Sequence, residues 1–201
     1  MKIIKGLFPI FIVLALSACA SSGKQVKYYS LTLNSEYQSS DHTNRVGTDK
    51  HHIVVDPIHL AKFLRQDGLV MQIGEHEIVT ANYHRWAEPL EDAISKLLVQ
   101  ELNAKSNSYQ FGRMVGQWNQ NAILNLRLEF DKFHATDNAQ IVASGRYWFY
   151  EKNKFLGVDQ SFDISIGLTR DGYLHAVEKL EQVIGKLSEQ IIDSFNHAKE
   201  Y

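Results

Sequence analysis

An α+β fold is predicted by three features of the 201-residue sequence. Two stretches carry apolar residues at helical spacing, about seven carry strand-like alternation or composition, and two or three strands precede each helix. The expected architecture is a mostly antiparallel sheet with both amphipathic helices packed on one face. A hydrophobic fraction of 44% and a charged fraction of 22% are close to those of a globular domain that buries a real core.

The first eighteen residues stand outside that domain. Lys2 and Lys5, an apolar run from Leu7 to Leu16 and small residues at Ser17-Ala18 have the three parts of a secretory signal. The apolar run is about half the ~20 residues a spanning helix needs, and Pro9 interrupts it. Leu16-Ser17-Ala18-Cys19 resembles the bacterial lipobox, in which the thiol receives diacylglycerol, the signal is cut before the cysteine and the freed amine is acylated. Cys19 is the one cysteine of the chain. Two acyl chains already hold a protein stably on a bilayer, so a triacylated Cys19 would be a permanent anchor. Ala20, where an aspartate would favour the inner membrane in lipoprotein sorting, implies the outer membrane with the domain facing the periplasm.

Removing the 18 signal residues from 201 leaves 183, a length that fits one domain. The two lysines of the signal leave with it and no acid does, so the net charge moves from −2 to −4. Nothing in that balance suits nucleic acid. With Cys19 lipidated, neither a disulfide nor a thiol nucleophile remains.

Ala20 to Gln25 are small and polar, so residues 19–27 read as a lipidated tether, and residues 28–201 as a single domain. Tyr28 to Leu33 is the first predicted strand. Asn34 to Lys50 is almost wholly polar and aperiodic, which predicts a mobile loop. His52 to Ile58 is a β-branched strand that Pro57 should end. After Leu60 to Leu64, Leu69–Ile73 and Glu77–Ala81 flank Gly74-Glu75-His76 as a hairpin. Glu88-Pro89 opens a helix whose core face is Leu90, Ile94, Leu97, Leu98 and Leu102. A strand is expected at Tyr109–Val115. From Ala122 to Phe133, Leu124, Leu126, Leu128 and Phe130 alternate with polar residues. Gln140 to Glu151 sets Ile141, Ala143, Tyr147 and Phe149 against an unusually aromatic second face with Val142, Arg146, Trp148 and Tyr150. Phe155 to Ile166 completes a meander. Past Arg170-Asp171-Gly172, the spacing of Val177, Leu180, Ile184, Leu187, Ile191 and Phe195 predicts a helix of some twenty-five residues.

Sites of chemistry are sparse. His51 and His52 point to opposite faces of a strand and cannot chelate together, even with His59, His76 or Glu77 nearby, so no metal is expected. Glu88, Glu91 and Asp92 complement the positive end of a helix before they suggest acid–base work. No nucleophile elbow or phosphate loop is present, and no enzyme activity, catalytic residue or cofactor is expected. Tyr83 to Leu90 is the most distinctive stretch of the domain. It suits either a packed corner, with Trp86 capping the core and Arg85 paired with an acid, or a partner-binding surface at Arg85, Trp86 and Glu88. Trp148, on the aromatic face, is a second candidate for partner contact.

The order of lipobox, Tyr28-Tyr29-Ser30-Leu31, Ile53 to Ile58 and, above all, Arg85-Trp86-Ala87-Glu88-Pro89-Leu90 running into a helix resembles the auxiliary lipoprotein family of ABC-type transport systems. Within it the chain is similar to the lipoprotein of the paraquat-inducible (Pqi) system, whose partners carry mammalian-cell-entry (MCE) domains. The polar insert from Asn34 to Lys50 departs from that pattern. The resemblance implies a non-enzymatic outer-membrane component that receives a periplasm-spanning MCE protein, helps move lipid between the membranes and supports envelope integrity. It also makes a homo-oligomer plausible. The alternative is an assembly factor or pilotin-like lipoprotein for another outer-membrane complex, and a periplasmic hydrolase is the remaining class.

Overall fold

The computed structural model describes residues 24–32, 51–114, 122–151 and 154–198. Cys19, Leu33 and the polar insert Asn34 to Lys50 lie outside the described residues. In chain order the elements are β1 (Lys27–Tyr29), β2 (His51–Val55), β3 (His59–Leu60), a 3-10 turn (Lys62–Leu64), β4 (Gly68–Ile73), β5 (Glu77–Trp86), α1 (Leu90–Lys105), β6 (Tyr109–Arg113), β7 (Ala122–Thr136), β8 (Gln140–Glu151), β9 (Lys154–Gly167) and α2 (Tyr173–Ala198). The predicted α+β class holds.

The organising element is β7, fifteen residues long. One edge pairs with β8, which pairs in turn with β9, and both ladders are antiparallel. These three strands are the predicted meander. The opposite edge of β7 takes β2, β3 and β4 one after another, all parallel to it. β6 extends the sheet beyond β2, and β5 and then β1 extend it beyond β4. The longest ladders are antiparallel as expected, but β1 joins β5 and β6 joins β2 in parallel as well, so the sheet is mixed. Alternation reports which face a side chain takes and is blind to the direction of the neighbouring strand.

The step from β2 to β3 shows why Pro57 sits where it does. Asp56 N–H donates to Leu126 O at 2.9 Å and Ala61 N–H to Phe130 O at 2.9 Å, so the ladder resumes on either side of the proline, which has no N–H to offer. Further along β7, a register shift between Phe130 and Lys132 inverts the alternation. Phe130 and Phe133, three apart, are therefore both in the core, their rings edge to face at 5.6 Å.

Both helices cover one face of the sheet. Leu126, Leu128, Ile141, Ala143 and Phe149 pack beneath Leu97, Leu98, Ile184, Leu187 and Ile191 in a single cluster, as their spacing predicts. Burying each of the Leu, Ile and Phe side chains contributes roughly 1.5–3 kcal/mol. Polar clamps set the helices in place. Lys105 of α1 pairs with Glu101 and donates to Ser188 Oγ at 2.8 Å and Gly185 O at 3.1 Å on α2. The Asn103 amide meets the backbone of Phe111 through two bonds of 2.8 Å, which satisfies the edge of β6.

Candidate functional site

The distinctive stretch Tyr83 to Leu90 forms a corner. β5 runs through Trp86, two residues pass, and Pro89 begins α1 with its carbonyl accepting from Asp92 N–H at 3.0 Å. Backbone bonds from Trp86 N–H to Asp67 O and from Ala87 N–H to Tyr29 O, each 2.7 Å, bind the corner to the strands beside it. Trp86 is only 7% exposed and belongs to the core. Arg85 is half-buried, and its Nε–H donates to Asn82 O at 3.3 Å, a carbonyl where an acid was expected. Glu88 pairs with Lys96, in the second turn of the helix.

Trp148 lies elsewhere. Tyr147 and Phe149 of β8 point to the helices, with Tyr147 Oη 2.9 Å from Ser194 Oγ and the Phe149 ring 4.7 Å from that of Phe195. Trp148 and Tyr150 therefore occupy the opposite face of the sheet. β8 pairs them with Arg127 and Asn125 of β7. Arg85, Trp86 and Glu88 belong to the β4–β5 limb, so they are not gathered with Trp148.

What surrounds Trp148 is a polar cluster centred on Asp56, 1% exposed just past the end of β2. Arg127 Nε–H donates to Asp56 Oδ2 at 2.9 Å, Tyr150 O–H to the same oxygen at 2.7 Å and the Asn125 amide to Oδ1 at 3.2 Å. Arg127 Nη2–H closes the ring by donating to Tyr150 Oη at 3.3 Å. The guanidinium carbon is 5.8 Å from the centre of the Trp148 ring and 5.1 Å from that of Tyr150, within reach of cation–π attraction. The bond to Asp56 raises the Arg127 pKa against a smaller opposing effect of burial. Burial, then the bond to Asp56, raises that of the Tyr150 phenol. The side chain of Arg127 keeps 39% of its surface exposed. The arrangement is a fixed cation on an aromatic bed, with a carboxylate beneath that holds it in one rotamer.

The sequence marked Trp148 and the aromatic face but missed Asp56 and Arg127. Asp56 reads as the polar end of a strand before a proline, and only the parallel pairing of β2 with β7 brings it to Arg127, 71 residues away. A second aromatic group was also missed: Tyr29 Oη is 2.8 Å from His84 Nδ1, and the His84 ring stacks on Tyr173 at 3.6 Å. It joins β1 and β5 to the start of α2. Among the described residues no group of three His, Cys, Asp or Glu is placed to hold a metal, and no helix is long and apolar enough to cross a membrane.

No curated protein sequence matches the chain. Among solved structures, one described as an uncharacterized protein superimposes with a TM-score of 0.70 at 20% identity, over 85% of this chain and 99% of its own. A Xanthomonas campestris protein of the family DUF330 superimposes with a TM-score of 0.60 at 11% identity, over 76% and 89%. These likenesses concern the fold. The family model described as "ABC-type transport auxiliary lipoprotein component" matches residues 29–192, from β1 through most of α2. The chain belongs to the ABC-type transport auxiliary lipoprotein family.

Proposed function

We propose that the protein is the outer-membrane-anchored, periplasm-facing auxiliary lipoprotein of an MCE-type system that moves lipid between the two membranes, and that it works by docking rather than by catalysis. The observation that carries the reading is family membership across residues 29–192, joined to the likeness of Arg85 to Leu90 to the Pqi lipoprotein. Cys19 would supply the anchor. The docking surface would be the sheet face bearing Arg127, Trp148 and Tyr150. Arg, Trp and Tyr dominate binding hot spots, and a guanidinium already held by Asp56 loses little freedom on association.

Crosslinking in the native envelope tests this, with a photoreactive residue replacing Trp148 in one variant and Arg85 in another. Capture of an MCE-domain protein from position 148, with little from 85, is the expected result. Capture of only an unrelated outer-membrane complex would favour the assembly-factor class and overturn the proposal.

A further inference from the structure

Trp86, buried at the corner, is also one wall of a cavity of about 510 Å³ at the opposite limb of the molecule from Trp148. Leu69, Met71, Trp86, Phe133, Leu168 and Leu180 supply its apolar lining, drawn from β4, β5, β7, the segment after β9 and α2. The volume falls within the roughly 300–1,000 Å³ typical of small-ligand sites. The cavity is open on one side, so its apolar wall faces solvent instead of enclosing a void in the core, and a contiguous exposed apolar surface marks a binding site. The charged residues of its wall are Asp137, Arg170 and Asp171. Arg170 is pinned there, its Nη2–H donating to Glu178 Oε2 at 2.9 Å, and Asp137 is fixed by accepting from Gly74 N–H at 2.8 Å. Both signs of charge thus belong to the lining, with the acids in excess.

We infer that this cavity binds a single acyl chain of a one-chain amphiphile with a zwitterionic head, its phosphate toward Arg170 and its ammonium toward Asp137 and Asp171. A purely anionic head would meet Asp137 and Asp171 with a single guanidinium that Glu178 already shares. The site goes beyond the docking role, which needs no cavity.

The test uses the full chain in vesicles of phosphatidylethanolamine and phosphatidylglycerol, with lysophosphatidylethanolamine carrying a diazirine in its acyl chain as the probe. After irradiation, peptide mapping should place the label on the segments holding Met71, Trp86 and Leu168 to Leu180. Unlabelled lysophosphatidylethanolamine should compete it away, and a fatty acid of equal length should compete at least threefold less well. Ala176→Phe, which fills the cavity from α2, should lower the label at least fivefold with an unchanged circular-dichroism spectrum. If that variant fails to fold, Met71→Trp makes the same test from a half-buried position. Label scattered over the surface, or undiminished in the folded variant, overturns the site. Equal competition by the fatty acid overturns the head-group assignment. Neither outcome bears on capture of an MCE-domain protein at position 148, so the two proposals fail separately.

Discussion

Asp56 has two oxygens and three side chains donating to them, and almost no contact with water. Removing a buried ionic partner leaves the other group uncompensated, which costs about 3–5 kcal/mol when both are buried. Arg127 keeps 39% of its side-chain surface exposed, so water recovers part of that loss. Asp56→Ala is expected to lower stability by about 2–3 kcal/mol in urea titration. Arg127→Ala alone should cost less, because Asp56 retains Tyr150 and Asn125. Equal effects would mean that the carboxylate is not the centre of the cluster. The aromatic half of this cluster was legible, since two aromatic residues, Trp148 and Tyr150, at alternate positions of β8 are unusual for a wet face. The acidic half was not, because no local pattern announces which strand lies beside an Asp-Pro step.

At the scale of elements, Gly145 marks a close approach between strands. A Cβ there would sit 1.9 Å from the carbonyl oxygen of Glu129 on β7 and 2.9 Å from the Phe162 ring on β9. Since the first of these atoms is backbone, the strands must part to admit a methyl group. Gly145→Ala is expected to cost about 3 kcal/mol, the upper end of overpacking effects. Gly167→Ala, at the end of β9 with nothing within 4 Å, should stay within about 0.5 kcal/mol. Thermal melts of the two variants make the comparison, and similar shifts would refute the close approach. The helices, the hairpin and the meander were legible because each has a long periodic pattern. The attachment of β2, β3 and β4 to β7 was not, because parallel neighbours come from far along the chain and leave no turn between them.

For the molecule as a whole, stability should depend on pH through His134, 1% exposed with its Nδ1–H donating to Ala135 O at 3.0 Å. Burial lowers its pKa below 6.5, with the backbone bond opposing and Lys132 adding to the fall. The unfolded chain therefore takes up a proton near pH 6.5 that the folded chain refuses until lower pH, so His134 contributes fully above about 6.5 and loses its contribution as pH falls toward its folded pKa. The stability difference between wild type and His134→Gln should shrink between pH 7.5 and 5. Parallel curves would show that His134 titrates alike in both states.

A single long strand serving three short ones also dictates an order of assembly. β2 and β3 end by residue 60, yet their partner β7 begins only at Ala122. A chain emerging from its N-terminus first can close the β4–β5 hairpin and wind α1, but β2 and β3 must wait, with open edges, for some sixty further residues. The β7–β8–β9 meander closes through short turns and so is the natural template, onto which the earlier strands condense in sequence-distant contacts that are slow to form. Until then the first third of the domain is exposed to wrong pairings, which makes protection of the unfinished chain a requirement of this topology.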